Sequence, residues 1–317
     1  MSTYRCIAIL GFGEAGGILG TDLARAGLEV ATYDLLLDAP STRDALLARA
    51  AAAGVRACAS AHEAVAGAEL VICAVTAAQS VKAAASAADH LEPAQVFLDI
   101  NSVSPATKQE SARTLERSGA VYIDAAVMAA VPSQRLAVPM LIGGPGAARA
   151  CAALRGLGLN VTVVSDRVGV PSAVKMCRSI LIKGLEALTV ESLFAARRFG
   201  AEDEVLASLE QTFPRMGWQE ALPDYLVSRV AEHGRRRAAE MREVARTLEA
   251  VSLEPLMALA AARRQEELVE TMRARHVEYV RGNPFSWRAL ADALASAPGA
   301  AGGTPHAALA GKAGKAR

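Results

Sequence analysis

The sequence predicts an α/β protein, with a doubly wound sheet followed by an all-α C-terminal domain. Short apolar runs alternate with helical patterns through the first half of the chain, the rhythm of strands joined by crossover helices. A glycine-rich turn closes the first of these runs. After about Asp166 the alternation stops, and Leu, Met, Ala and Val recur at helical spacing to about Ala295.

The opening run Arg5-Cys6-Ile7-Ala8-Ile9-Leu10 is apolar without alternation, as suits a strand covered on both faces of a parallel sheet. Gly11-Phe12-Gly13-Glu14-Ala15-Gly16 follows at once, and a helix is expected from roughly Ala15 to Ala26, ended by Gly27. Glu29-Val30-Ala31-Thr32-Tyr33 then reads as a second strand, closed by Asp34. Gly11 permits the tight turn, Gly13 lets the main chain approach a pyrophosphate, and Gly16 lets the helix pack on the strand. Free N–H groups at the helix start, aided by the helix dipole, bind the diphosphate. With a strand before, a helix after and an acid 18 residues past the third glycine, Gly11 to Gly16 read as a dinucleotide grip. Asp34 is placed to accept both adenosine-ribose hydroxyls and to repel a 2′-phosphate, which favours NAD over NADP. Arg43 is the nearest basic residue that could serve NADP.

Further along, helices are expected over 42–53, 60–67 and 77–90. Strands are expected at 55–57, at 69–75 (Glu69 to Val75) and at 95–100 (Gln95 to Ile100). Pro105 directly after Ser104 signals a helix start, with the helix running to Ser118. Runs at 120–124, 139–143 and 160–164 read as three more strands. Between Pro171 and Arg198 lies a helix far beyond the average of about 12 residues, a length that bridges two bodies or two subunits. The expected division is therefore a dinucleotide-binding domain over 1–165, a helical substrate and dimerisation domain over 166–295, and a disordered Ala/Gly/Pro/Lys-rich tail over 296–317.

Composition narrows the function. A chain of 317 residues with 52% hydrophobic content has room for two domains and a sizeable core. A net charge of +1 argues against a nucleic-acid surface or an anionic membrane as partner. No uninterrupted apolar stretch of about 18 residues is present, and the first apolar run is the nucleotide strand rather than a signal. A cytoplasmic protein is expected. Cys6, Cys58, Cys73, Cys151 and Cys177 form an odd set without metal spacing, so reduced core thiols and no metal are expected.

Four ordered segments resemble the β-hydroxyacid dehydrogenase superfamily, which includes 3-hydroxyisobutyrate and 6-phosphogluconate dehydrogenases. They are the glycine loop, Asp99-Ile100-Asn101-Ser102-Val103-Ser104-Pro105, Asp124-Ala125-Ala126-Val127, and Gly169-Val170-Pro171-Ser172-Ala173-Val174-Lys175. The last two are most similar to a less-studied branch with a distinct phosphogluconate-dehydrogenase-like C-terminal domain. The resemblance implies a nicotinamide-binding domain followed by a helical domain, and a homodimer whose helical domains interlock. It also makes Lys175 the acid/base. On the residues alone, a lysine in the second turn of a long helix is either a snorkelling surface group or a proton carrier. Ile180, Leu181 and Ile182 read as the mark of a mostly buried helix, in which the ammonium form is disfavoured.

Two departures from the family bear on the substrate. The asparagine usually found one turn after the lysine is Ser179, and the substrate loop, usually Ser-Gly-Gly, is Met128-Ala129-Ala130. A pocket larger or more apolar than the family's is expected. Arg178 and one of His233, Arg235, Arg236 and Arg237 are candidate anion clamps. Arg237 lies next to Ala238, about where the family brings in a C-terminal lysine. Asn101 and Ser102 are placed beside the nicotinamide ribose, and Val75 and Thr76 line the same groove. Trp218, Gln219 and Tyr225 read as core or interface, and His62 and His90 are given no role. The expected function is NAD-dependent hydride transfer to or from a hydroxyl-bearing, anionic small molecule. An imine or 2-ketoacid reductase of the same plan, and a dinucleotide sensor without turnover, are the alternatives.

Overall fold

The computed structural model describes residues 4–280 and 284–296. Packing divides the chain into two units, one made of Met1–Gly184 with Ala239–Ala260, the other of Leu185–Ala238 with the residues from Ala261 on. Residues 297–317, nearly all of the expected tail, lie outside the described residues.

In the first unit, strands and helices alternate as β1 (Cys6–Leu10), α1 (Glu14–Arg25), β2 (Glu29–Tyr33), α2 (Pro40–Ala52), β3 (Arg56–Ala57), α3 (Ala61–Val65), β4 (Leu70–Cys73), α4 (Ser80–Ala88), β5 (Val96–Asp99), α5 (Pro105–Leu115) and β6 (Val121–Val127). There follow α6 (Val131–Gln134), β7 (Met140–Gly143), α7 (Ala147–Gly156) and β8 (Val161–Ser165). The eight strands form one sheet in the order β3-β2-β1-β4-β5-β6-β7-β8. Alternation along β1 shows why the strand reads as a continuous apolar run. Ile7 and Ile9 enter the core on one face with Leu70, Ile72 and Leu98, while Ala8 and Leu10 enter the other with Val71 and Phe97. Helix starts follow local chemistry. Pro105 opens α5 while the Ser104 hydroxyl accepts the Thr107 N–H at 3.2 Å, and the Ser60 hydroxyl caps α3 by accepting the Glu63 N–H at 3.2 Å.

Three details depart from the expected pattern. The helix expected over 77–90 begins with a separate 3-10 turn at Ala77–Gln79, before α4. Helix α7, between the strands expected at 139–143 and 160–164, was assigned no element from the sequence; glycines at 143, 144, 146, 156 and 158 stand at or beyond its two ends. β7 also runs antiparallel to β6, within a sheet otherwise parallel. The link between them holds only α6 and a 3-10 turn at Arg135–Ala137, too short for the crossover that parallel pairing needs.

The remaining helices are α8 (Val170–Phe199), α9 (Glu202–Thr212), α10 (Leu222–Glu249), α11 (Leu256–Ala274) and α12 (Trp287–Ser296), and the boundaries between the units fall inside α8, α10 and α11. The second unit has its own core of Val190, Leu193, Val227, Val230, Trp287 and neighbours, which includes Trp218. Its α10 and α11 backbones approach closely at Gly234, where an added Cβ would stand 2.4 Å from the Gln265 carbonyl oxygen. Tyr225, by contrast, is exposed.

The expectation that Ile180, Leu181 and Ile182 are jointly buried is corrected by the structure. Leu181 is 77% exposed. Consecutive helical residues turn by about 100°, so three in a row cannot face one core. Val174, Leu181 and Leu188 form an exposed apolar stripe along α8. Cys177, on the same helix, is exposed, so the expectation of core thiols holds for Cys58 and Cys73 but not for this cysteine.

Candidate active site

The glycine loop shows which glycines serve packing and which serves access. Gly11 has φ +90°, its N–H donates to the Tyr33 carbonyl at 2.9 Å, and a Cβ on it would lie 2.6 Å from the Ala74 carbonyl oxygen. A Cβ on Gly16 would lie 2.0 Å from the Gly11 oxygen, so α1 meets the turn only without a side chain. Nothing lies within 4 Å of a Cβ on Gly13. That open side, at the start of α1 with Glu14 and Ala15 in its first turn, is the approach a diphosphate needs. Phe12, between the glycines, is fully buried.

Asp34 reaches back from the end of β2. One carboxylate oxygen accepts the Phe12 N–H at 2.7 Å and the other accepts the Leu36 N–H at 2.9 Å. Each oxygen keeps a lone pair for a ribose hydroxyl. Arg43 Nε donates to the Leu37 carbonyl at 2.6 Å. Arg49 donates to the Phe12 carbonyl, with its guanidinium 5.6 Å from the centre of the Phe12 ring. No motif or spacing singles out Arg49, which lies late in α2.

On the neighbouring strands, Asn101 is buried and its side chain is committed internally. Its Oδ1 accepts the Val75 N–H at 2.7 Å, and its Nδ2 donates to Cys73 Sγ and Ser80 Oγ, both at 3.2 Å. It therefore braces the end of β4, just before Thr76, against the end of β5. Ser102 differs. Its hydroxyl is buried without a hydrogen-bond partner among the described residues. An orphaned hydroxyl beside the carboxyl ends of parallel strands fits a bound ligand at that position. Together with the open side of Gly13 and the lone pairs of Asp34, it makes this unit fit a nicotinamide dinucleotide.

Behind Ser102 lies a polar cluster absent from the sequence expectations. Lys108 on α5, with no exposed surface, donates to Asp99 Oδ1 at 2.9 Å and stands 3.4 Å from Asp124 Oδ1. The Tyr122 hydroxyl donates to Asp99 Oδ2 at 2.7 Å. Burial, then the Asp99 charge, pushes the Tyr122 phenol well above its ordinary range, and the same two causes push the Cys73 thiol up to about 12. Asp124 also holds α8: Ser172 Oγ donates to its Oδ1 at 2.8 Å and the Gly169 N–H to its Oδ2 at 3.0 Å. Asp99 and Asp124 are register partners in β5 and β6. The first turn of α8 is thus anchored where doubly wound sheets bind ligands.

Lys175 follows one turn after this anchor and is half-buried. Ser179, one turn further, is buried, and its hydroxyl accepts from Lys183 Nζ at 3.4 Å. Lys183 in turn forms an ion pair with Glu240 on α10. Nearby on α10, Glu243 accepts the Ser104 N–H at 3.3 Å and pairs with Arg246. Lys183 stands two turns from Lys175, so helical spacing was the signal that could have found it; Glu240 and Glu243 left none. Arg178 is exposed. At the end of β6, Met128 is half-buried with its N–H on the Pro139 carbonyl at 2.8 Å, and Ala129 and Ala130 are exposed.

In the second unit, Arg237 is held by Glu186, its Nη1 donating to both carboxylate oxygens at 2.6 and 2.5 Å. The clamp expected from Arg237 is therefore already filled from within, by a carboxylate on α8. Arg235 and Arg236 are exposed. Burial, then the charge of Arg236, lowers the His233 imidazole from its ordinary range. Among the described residues no group of His, Cys, Asp or Glu has a metal-holding arrangement, and no helix is long and apolar enough to cross a membrane.

A model of the NAD-binding domain of 6-phosphogluconate dehydrogenase matches residues 6–163, and a model of a domain of unknown function, DUF1932, matches residues 196–268. The structure of a conserved hypothetical protein from Sinorhizobium meliloti is 36% identical with a TM-score of 0.76, over 93% of this chain and 97% of that one. A second, a conserved protein of unknown function described as structurally similar to 3-hydroxyacid dehydrogenases, is 32% identical with a TM-score of 0.68, over 86% and 99%. The 3-hydroxyisobutyrate dehydrogenase of Pseudomonas aeruginosa is 28% identical over 67% of this chain. The chain spans between 61% and 71% of the length of the first curated relatives it matches.

Proposed function

Because the chain belongs to the β-hydroxyacid dehydrogenase superfamily, whose members are NAD(P)-dependent dehydrogenases acting on hydroxyl groups, we propose that it interconverts a small anionic hydroxy acid and its carbonyl form with NAD, using Lys175 as acid/base. One observation carries the reading. Lys175 lies one turn beyond the Asp124–Ser172 anchor, with Ser179 on the same face a turn later.

Gly11 to Gly16 would hold the diphosphate, Asp34 the adenosine ribose, and Ser102 would contact the nicotinamide half. The bound dinucleotide would supply the acceptor or donor of a hydride for the carbinol carbon. Lys175, as the neutral amine, takes the hydroxyl proton as that C–H bond breaks and the C=O bond forms, and gives it back in the reverse direction. Ser179 donates its hydroxyl hydrogen to the same substrate oxygen. Met128, Ala129 and Ala130 offer no side-chain donor, so the substrate's polar edge faces α8, with exposed Arg178 a cation on that helix for its anionic group. The Asp34 carboxylate opposes a 2′-phosphate, and Arg43 and Arg49 have hydrogen bonds to main-chain carbonyls, which supports NAD over NADP.

The test is NADH formation by wild type and Lys175→Ala across 3-hydroxyisobutyrate, L-serine, 6-phosphogluconate and related acids. Turnover lost only in the variant supports the reading. Tight NAD binding with no turnover by wild type on any acid, or on imines and 2-ketoacids with NADH, favours a sensor. The exposed stripe of Val174, Leu181 and Leu188 supports a homodimer or larger assembly. A monomer mass by light scattering at micromolar concentration would sink that part.

A further inference from the structure

We infer that Lys183 and Glu240 are a positioning pair that orients the Ser179 hydroxyl toward the substrate oxygen, an inference that rests on the dehydrogenase reading above. Hydroxyls inside helices ordinarily donate back to the carbonyl one turn earlier. Thr189 does so to Leu185 at 2.8 Å and Thr247 to Glu243 at 2.9 Å. Ser179 does not. Among the described residues its one hydrogen bond is the contact it accepts from Lys183. An ammonium has only donors, so that contact occupies a lone pair of Oγ and leaves the hydroxyl hydrogen for another acceptor. The 3.4 Å separation is long, in keeping with contacts that tighten only once the substrate is in place.

Lys183 is 7% exposed, and a cation so placed is tolerated when paired. Glu240 provides the pair from α10, and its side chain retains partial exposure. The result is a chain from carboxylate to ammonium to hydroxyl, in which each link polarises the next and strengthens the final donor. This makes good the loss of the family's asparagine. An amide carries its own donor and acceptor, whereas a serine needs a neighbour to fix the direction of its single hydrogen. The pair also bears on the substrate: with that hydrogen turned outward, the atom meeting Ser179 is one with a lone pair to accept it, such as a carbonyl or an alcohol oxygen. Lys175, Ser179 and Lys183 stand at successive turns of one helix face, so proton carrier, orienting hydroxyl and positioning cation share one rigid support.

A double-mutant cycle on the full chain tests this, using NAD and whichever acid of the panel above turns over fastest. Ser179→Ala and Lys183→Met should each lower kcat/KM about five- to tenfold, with NAD affinity unchanged. Together they should lower it no further than the poorer single variant, because Lys183 acts through Ser179. Since Lys183→Met breaks the ion pair and leaves the Glu240 charge in place, Lys183→Met/Glu240→Leu removes both charges and should give the same loss in a folded protein. Losses that multiply in the cycle, or wild-type kcat/KM in the double-charge variant, overturn the pairing while leaving the dehydrogenase reading intact. Failure of both Lys183 variants to fold assigns the pair to the core and overturns it as well. No turnover by wild type on any acid overturns both readings together.

Discussion

Lys108 and Lys183 are both buried lysines, and they do opposite things. Lys108 has no exposed surface and is closed in by the Asp99 carbonyl, the Asp99 carboxylate and Asp124, whose remaining oxygens are taken by Tyr122, Ser172 and Gly169. Each carboxylate oxygen there has a partner within the fold, and the ammonium has no exposed surface to offer a visitor. Lys183 pairs with the Glu240 carboxylate and donates to the Ser179 hydroxyl, which retains its own hydrogen. Burial of a charge is therefore no mark of function by itself. What separates the two is whether the last group in the chain of contacts still has something to give.

Breaking the closed cluster should have the largest effect. Lys108→Met leaves two carboxylates buried without their cation, and the expected loss is about 3–5 kcal/mol of stability in urea unfolding. A loss under about 1 kcal/mol would mean that the aspartates carry no charge needing compensation.

Next in size, Lys175→Ala should lower kcat by roughly 100-fold, or about 2.7 kcal/mol, with the unfolding midpoint in place. Lys175→Arg should not restore it, because a guanidinium does not release its proton near neutral pH. If instead the alanine variant unfolds as readily as the Lys108 variant, Lys175 belongs with the structural lysine.

Asp34→Ser probes the cofactor end. It removes hydrogen bonds to a ribose and a repulsive charge, so NAD should weaken by about 1–2 kcal/mol in calorimetry while NADP gains. Wild-type protein that already binds NADP as tightly as NAD contradicts the assignment. The substitution also takes a charged acceptor from the Phe12 N–H, so a small drop in stability should accompany it.

The smallest effect concerns thiols and tests how closed the cluster is. Cys73 borders it, and with its thiol at about 12 the thiolate fraction at pH 8 is roughly 10⁻⁴. Exposed Cys177 should react with a disulfide reagent in the native state, whereas Cys73 should react only after unfolding. Native-state labelling of Cys73 would show that the region opens locally.

The residues proposed for the cofactor end were legible in the sequence because they work through the main chain. Gly11 and Gly16 must be glycine for steric reasons, and such requirements appear as fixed spacings. Asp34 was visible for the same reason, at the end of a strand whose register the glycines set. The α8 face was half visible. Lys175 and Ser179 stand out only through the family resemblance, and the charged partners around them come from far away in the chain. Lys183 meets Glu240 across 57 residues, Arg237 meets Glu186 across 51, and Ser104 meets Glu243 across 139. A chain with 34 basic and 33 acidic residues offers too many pairings for spacing to choose among. Arg237 illustrates this: three consecutive arginines suggested an anion clamp, and a glutamate of the chain itself took the place of the anion.

Helix α8 acts as a phase-locked ruler. Its positions 175, 179 and 183 coincide on one face only because the helix advances about 100° and 1.5 Å per residue. A substitution at any of them alters one contact. Inserting a single residue between Ser179 and Lys183 would instead swing Lys183 about a quarter-turn from the serine, and everything later in the helix with it. Exchanging a side chain along α8 should therefore be tolerated better than changing the number of residues between 175 and 183. Insertions and deletions should gather in the turns between strands and helices, where no angular register has to be kept.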